Sequence, residues 1–380
     1  MILLCLSINN SNFFVNMVYN YKHDFQLEPF IFLYITEKCQ LRCKHCYMGN
    51  RLYKPQEMNF RKIIKILKYF KTLGHYKLYL LGGEPLLHPN IEKIILLANK
   101  MGYVVVLTSN GQFNPKILQK FNPGIIHSFS FSIDSCNESV HDKIRGKDTF
   151  KRLIQNIKEA RESGFQVRLI CTVSKMNLEN TLDLINFSSK ELKVDMLSYH
   201  YFTPVGLGRN KMNELMLPKE WIEFCNRVEK YPIPDNFCVY YPPTFTFSNR
   251  LAYFIERGYK GCTARWFERL AILPSNRIYA CSVFFDTNKN FGLWKNNQLE
   301  IRKSKDTEMN SILKIEEKCL SCHNHNFCFG GCGALRDLNK NFPRGVITSK
   351  NCNQKIIPMC PLWTTYAGKI KPPLRIQELR

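Results

Sequence analysis

The sequence predicts an α/β fold, a parallel sheet covered by helices, followed by a smaller loop-rich unit held together by metal. Two observations predict it. Short apolar runs alternate with helical-period segments from Phe30 to Phe202, the pattern of strands joined by crossover helices. Beyond Pro204 that alternation stops, prolines gather at Pro232, Pro234, Pro242 and Pro243, and cysteines crowd between Cys262 and Cys360. A region poor in periodic segments but dense in thiols takes its folding energy from metal.

The elements follow in order. Phe30 to Ile35 reads as the first strand. Phe60 to Leu73 is a helix, with Ile63, Ile64, Leu67 and Phe70 at helical spacing. Lys77 to Leu81 is a strand running into glycines, Ile91 to Met101 a helix, and Val104 to Thr108 a strand. Ser128 to Ile133 is a strand, and Thr149 to Ser163 is a helix stopped near Gly164. Strand Val167 to Val173, helix Leu178 to Ser188 and strand Met196 to Phe202 complete the series. About six such repeats make an open or partial barrel, whose active site belongs at the C-terminal strand ends.

The chain has 380 residues, 45% hydrophobic and 22% charged, which is globular composition for one large domain plus a smaller one. The net charge of +23, from 54 basic and 31 acidic residues, suits nucleic acid, an anionic membrane face or an acidic peptide. The richness in Lys, Asn and Ile explains it equally as bias. Met1 to Phe14 lacks the basic start and unbroken apolar core of an export signal, and Met17 is an alternative start. No run of about 18 apolar residues predicts a membrane-spanning helix. The 16 cysteines are therefore expected to be reduced, cytoplasmic and metal-bound.

The first cysteines stand as Cys39-x3-Cys43-x2-Cys46, followed by Tyr47, on the loop after the first strand. Three thiolates suit a [4Fe–4S] cluster and leave one iron without a protein ligand. A zinc site is the alternative, but it wants four ligands, and His45 lies too close to Cys46 in sequence to serve easily. This loop resembles the signature of the radical S-adenosylmethionine (SAM) superfamily. Further segments resemble that family in its order: Gly82-Gly83-Glu84-Pro85, Thr108-Ser109-Asn110-Gly111, Ser130-Phe131-Ser132-Ile133-Asp134, His141 to Gly146, and Pro204 to Arg209. The resemblance implies a TIM-like partial (β/α)6 barrel. It implies that SAM binds the open iron by its amino and carboxylate groups. Glu84 then lies beside the SAM ammonium, Ser132 and Asp134 lie near the ribose, and Arg145 pairs the carboxylate. Tyr47, Gly82, Gly83, Pro85 and Asn110 line the same pocket. Cys39, Cys43 and Cys46 become the catalytic and metal residues, and the chemistry is release of a 5′-deoxyadenosyl radical.

A second array, Cys319-x2-Cys322-x5-Cys328-x3-Cys332, has Cys262 and Cys281 upstream and Cys352 and Cys360 downstream. Alone it also fits zinc ribbons. Together with the first motif it resembles the SPASM domain, which carries one or two auxiliary [4Fe–4S] clusters. Asn276 stands where that domain usually has Gly, and Asn tolerates positive φ. By analogy, Cys262, Cys281 and Cys332 hold one cluster and Cys319, Cys322 and Cys328 the other. Cys352 or Cys360, or both, supply the rest, with Cys360 slightly favoured for the second cluster. His323 and His325 read as loop residues, and Cys5, Cys136, Cys171, Cys225 and Cys238 match no motif. The expected organisation is an N-terminal extension over 1–28 and a radical SAM core over 29–210. A linker or bridging region over 211–258, a SPASM domain over 259–365 and a tail over 366–380 follow.

The function this implies is an oxidoreductase that modifies a ribosomally made peptide, through a thioether or another crosslink. Alternatives are a sulfatase-type maturase forming formylglycine and synthesis of a peptide-derived redox cofactor. Formylglycine formation requires a base, for which Asp195 and Asp286 are the candidates. A non-catalytic zinc or iron–sulfur nucleic-acid binder is the reading from another class, and no nucleic acid is expected as partner. Expected partners are the peptide or protein substrate, a flavodoxin- or ferredoxin-type electron donor, and a separate leader-recognition protein.

Overall fold

The structure is a computed structural model that describes residues 29–368 apart from 267–268, 303–306, 314, 316, 323–324, 329 and 340–355. Seven strands run parallel in chain order. They are β1 (Phe30–Thr36), β2 (Lys77–Gly82), β3 (Val104–Ser109), β4 (Ser128–Ser132), β5 (Val167–Val173), β6 (Met196–Tyr201) and β7 (Cys238–Tyr241). Helices α1 (Phe60–Thr72), α2 (Ile91–Lys100), α3 (Glu138–Arg145) and α4 (Thr149–Glu162) lie between the first five. In α1 the buried stripe is Ile63, Ile66, Leu67 and Phe70. Ile66 takes the place expected for Ile64, because a 3.6-residue repeat carries the stripe that way. Each fully buried side chain of that stripe contributes about 1.5–3 kcal/mol. The Asn59 side chain caps α1 by accepting from the Arg61 N–H at 2.8 Å.

The segment expected as one helix over Leu178 to Ser188 is broken. A 3-10 turn (Leu178–Asn180) precedes α5 (Asp183–Asn186), which runs into a π turn (Phe187–Glu191). The region read as a linker is structural: it supplies α6 (Pro218–Lys230), β7, β8 (Phe245–Phe247) and α7 (Leu251–Glu256).

The C-terminal region extends the same sheet. Strand β9 (Arg269–Ile272) lies parallel to β1 on the side away from β2, with Phe30 opposite Arg269. Strands β10 (Arg277–Tyr279), β11 (Gly292–Lys295) and β12 (Gln298–Ile301) follow antiparallel. Asn276, in the β9–β10 turn, has φ 68°, the conformation that Gly would otherwise supply. At the far edge β14 (Thr365–Ala367) pairs with β7, while β13 (Ile356–Pro358) pairs with β8 in a second, small sheet. Helix α8 (Glu308–Leu313) packs behind β10.

The two faces of the parallel strands differ. Val167, Leu169, Cys171 and Val173 of β5 are buried, whereas Arg168, Ile170 and Thr172 are partly exposed. Tyr199 and Tyr201 of β6 pack edge-to-face against Phe224 and Trp221 of α6, so the buried face is the helix-covered one. Ser198 and His200 point the other way and remain accessible. A parallel sheet is ordinarily buried on both sides. Here the concave face is open, and it forms the lumen of an incomplete barrel.

Candidate functional site

The segments singled out between Cys39 and Arg209 follow the C-terminal ends of their strands, so they meet at one mouth of the barrel. The loop after β1 carries Cys39, Cys43 and Cys46. It is tied down by the Lys44 N–H donating to the Ile144 carbonyl at 2.9 Å and by a turn from Cys46 to Cys43 at 3.1 Å. Two glycines fix its position by close approach. A Cβ on Gly83 would stand 2.4 Å from the Lys38 carbonyl oxygen, and one on Gly206 2.3 Å from that of Cys46. Gly206 also needs its positive φ of 61°. The end of β2 and the turn after β6 therefore clamp the cysteine loop from two sides.

The three thiols are close enough to feel one another's charge. Burial pushes Cys39 up to about 11 and Cys43 up to about 12, and Cys46 upward as well. Thiols so desolvated ionise when a metal replaces the proton. Cys39 already accepts from the Leu41 N–H at 3.4 Å and from the Asn110 side-chain amide at 3.5 Å. His45 does not serve as a fourth ligand: its ring faces Asp134 at 3.7 Å, with only 10% exposure. Among the described residues no three His, Cys, Asp or Glu side chains converge tightly enough to hold one ion. Three thiols without a fourth donor fit an iron–sulfur cluster with one open iron, and they do not fit a four-ligand zinc site.

Several expected SAM contacts prove to be internal. Both Glu84 carboxylate oxygens are engaged by backbone, by the N–H of Leu86 at 3.2 Å and of Asn110 at 2.8 Å. Glu84 thus staples β2 to β3, and burial raises it to about 7. It is fully buried, so in this structure it presents no free charge to an ammonium. Arg145 is likewise engaged: its Nε lies 2.7 Å from Asp134 Oδ2. Asp134 and Arg145 are both buried, and each neutralises the other instead of facing ribose or carboxylate. Asp134 is held below the usual carboxylate range against its burial by Arg145, then by His45 and His141. Asn110 and Ser132 do face the mouth, partly exposed for Ser132. Pro85 starts a short 3-10 turn beside Gly82 and Gly83. Tyr47 turns inward, its hydroxyl 3.0 Å from that of Tyr34 and its ring against Phe285.

The two aspartates considered as bases are both occupied. Asp195 pairs with Arg161 at 3.1 Å and accepts from the Val167 N–H at 2.7 Å. Val167 begins β5, so Asp195 lies at the opposite end of the barrel from the cysteine loop. Asp286 accepts from the Gly206 N–H and lies 3.3 Å from Arg209 and 4.0 Å from Arg51. It joins the C-terminal region to the cysteine loop.

The C-terminal thiols form two groups. Cys262, Cys281, Cys332 and Cys360 are all buried. Cys262 hydrogen-bonds Cys360, and Cys281 and Cys332 lie within reach of both. That bond, with Arg269 beside it, holds the Cys360 thiol well below its ordinary value. Cys328 has Cys319 and Cys322 as its thiol neighbours instead. Cys360, expected with the second set, sits with the first. The cause is the β13–β8 pairing, extended by the Met359 N–H donating to Thr244 at 2.7 Å. Gly331 allows the close pass, since a Cβ there would meet the Pro358 carbonyl at 2.8 Å. Cys352 and His323 lie outside the described residues. All 14 described cysteines are free thiols, and Cys171 is core as expected.

Three residues escaped the sequence reading. Glu308 accepts from the N–H groups of Ala280 and Cys281, at 2.5 and 2.8 Å, and fixes the Cys281 turn. His200 and Arg269 face the concave side. The alternation of β6 signals His200, while nothing in the sequence signals that β9 joins β1. No helix of the described residues is long and apolar enough to cross a membrane.

Comparison with known proteins agrees with this geometry. Residues 33–188 match the family model described as the radical SAM superfamily. An AdoMet-dependent heme synthase of Methanosarcina barkeri is 30% identical over 190 residues, which are 49% of this chain and 54% of that protein. The chain thus spans about half the length of that relative. The Bacillus subtilis antilisterial bacteriocin subtilosin biosynthesis protein AlbA is 26% identical over 325 residues, covering 81% of this chain and 67% of that one. Among solved structures, Streptococcus suis SuiB bound to precursor peptide SuiA superposes with a TM-score of 0.65 at 20% identity, covering 89% of this chain and 82% of SuiB. Native anSMEcpe with bound AdoMet gives 0.61 at 16% identity, covering 86% and 94%. Both likenesses extend the shared fold through the C-terminal region. With the matched segment, the cysteine loop and the barrel in agreement, residues 33–188 of this chain are a radical SAM domain.

Proposed function

We propose that this chain is an oxidoreductase that reductively cleaves SAM and modifies a ribosomally made peptide, by a thioether or another crosslink. The observation that carries the proposal is the lumen. It is open at the mouth where Cys39, Cys43 and Cys46 sit, and it is flanked along β9 and β10 by the buried four-thiol group. When bound, the [4Fe–4S] cluster and SAM of this family supply one-electron reduction of a sulfonium and a hydrogen-abstracting radical. The chain's own part is placement. Cys39, Cys43 and Cys46 hold the cluster, and Gly83 and Gly206 fix their loop. Asn110 steadies Cys39 at 3.5 Å. The Asp134–Arg145 pair, bonded to the loop through the Ile144 carbonyl, keeps it rigid. His200, Ser198 and Thr172 give the lumen polar contacts for a peptide.

The likeness to SuiB, solved with a precursor peptide, and to AlbA supports a peptide substrate. A four-thiol site beside the lumen supports net oxidation, in which an electron leaves the substrate after hydrogen abstraction. The primary cluster takes its electron from a flavodoxin- or ferredoxin-type donor, and a separate protein reads the leader. The engagement of Asp195 and Asp286 by arginines disfavours either as the base that formylglycine formation requires.

The test is anaerobic reconstitution, followed by co-expression with each short open reading frame found beside the gene for this chain. The expected result is 5′-deoxyadenosine release and a peptide lighter by two hydrogens. Conversion of a Cys or Ser to formylglycine would replace the crosslinking assignment, and zinc without iron would overturn the whole reading.

A further inference from the structure

Arg269 is a buried cation without a buried anion. It lies on β9, its side chain on the same face as Phe30 of β1, and it is 8% exposed. Its Nη2 donates to the Thr263 hydroxyl at 2.8 Å, and its Nε has no partner. No carboxylate among the described residues pairs with it. An isolated guanidinium in such a place costs several kcal/mol, so a negative charge must complete the site.

The groups around it identify that charge. Tyr34, His200, Cys281 and Cys360 all feel the field of Arg269. Burial pushes Tyr34 up to about 12, so it is neutral at ordinary pH, and the exposed His200 carries no negative charge in either protonation state. The thiols remain, and they become anionic when they bind iron. The Thr263 hydroxyl, receiving from Arg269, lies 3.6 Å from Cys360 Sγ and can donate to it. Arg269, Thr263 and Cys360 form a chain from the lumen wall to the four-thiol group.

We propose that Arg269 is the counter-ion of an iron–sulfur cluster held by Cys262, Cys281, Cys332 and Cys360, coupled to Cys360 through Thr263, and that it raises that cluster's reduction potential. The proposal rests on the functional reading above. Reduction adds a negative charge to an already anionic four-thiolate cluster. A nearby fixed cation therefore stabilises the reduced form more than the oxidised one. Arg269 is also a positioning residue, because its hydrogen bond orients the Thr263 hydroxyl toward sulfur.

The experiment uses the full chain with Cys39, Cys43 and Cys46 replaced by Ala, so that the auxiliary signals stand alone. Arg269→Gln, Arg269→Lys and Thr263→Val are added singly. Iron is counted, and midpoint potentials are followed by paramagnetic resonance. Arg269→Gln is expected to shift one auxiliary potential downward by a factor of ten or more in the equilibrium, about 59 mV for one electron. Arg269→Lys restores most of it, and Thr263→Val falls between. Loss of about four irons in Arg269→Gln that Arg269→Lys recovers supports the same role. Full iron with unmoved potentials in Arg269→Gln overturns the proposal. So does equal loss in both Arg269 variants, which would make the residue a packing element. Weakened peptide binding with unmoved potentials would assign Arg269 to a substrate carboxylate, again against the proposal. If the parent protein holds no auxiliary iron–sulfur cluster, the functional reading fails first, and the two failures are thereby separated.

Discussion

The cysteine loop after β1 and the four-thiol group of the C-terminal region hold the same ligand type in opposite settings. At the loop, Cys39 and Cys46 are part-exposed at the mouth of an open lumen, and three thiols find no fourth donor. In the C-terminal group four thiols are buried and have one another as neighbours. On the proposed reading, the first arrangement would leave an iron for a small molecule, while the second would seal its irons from substrate. The supporting structure differs too. The loop rests on a barrel with a continuous apolar core, from Ile31 and Leu33 through Leu197 and Val239. The C-terminal group is joined by short elements such as α8 and β13.

Three outcomes sharpen or break that contrast. The largest is expected from iron removal. Chelation should leave the barrel cooperative and protease-resistant while the chain beyond about residue 260 becomes cleavable, because metal ligation there supplies folding energy directly. Limited proteolysis with mass mapping checks it, and uniform resistance would mean that the C-terminal region has a sufficient core of its own. Next, Cys360→Ala should lower the content by up to about four irons per chain while SAM cleavage survives at the loop. Unchanged iron and unchanged spectra in that variant would remove Cys360 from the first group.

The smallest effect is in pH. Glu84, raised to about 7 by burial, holds its proton in the folded chain at a pH where the unfolded chain has lost it. The folded state then binds more protons, so stability falls as pH rises from about 4.3, the unfolded value, toward 7. The melting temperature of iron-free protein should decline across that window more in the parent than in Glu84→Gln. Parallel curves would show that burial leaves the Glu84 carboxyl titrating as it does in the unfolded chain.

Much of the barrel was legible because each strand and helix carries its own period. The observed strands Val167–Val173 and Lys77–Gly82 match the apolar runs almost residue for residue. The helix expected over Leu178 to Ser188 was less so, since its break into a 3-10 turn, a short helix and a π turn leaves no mark in the apolar spacing. The cysteine loop was legible from spacing alone, because its three ligands are neighbours in the chain. The partner of Cys360 was not: spacing does not tell which distant thiols meet, and the β13–β8 pairing that decides it joins segments about a hundred residues apart. Arg269 and the Asp134–Arg145 pair were hidden for the same reason. The first depends on β9 lying beside β1, and the second shows that a residue matching a family motif can be engaged by its own fold.

The most direct measurement is paramagnetic resonance of the anaerobically reduced holoprotein with and without added SAM. One signal should change on SAM addition and vanish when Cys39, Cys43 and Cys46 are replaced by Ala, while the remaining signals persist and ignore SAM. A spectrum in which no signal responds to SAM, or in which the response survives that replacement, would contradict an open iron at the barrel mouth.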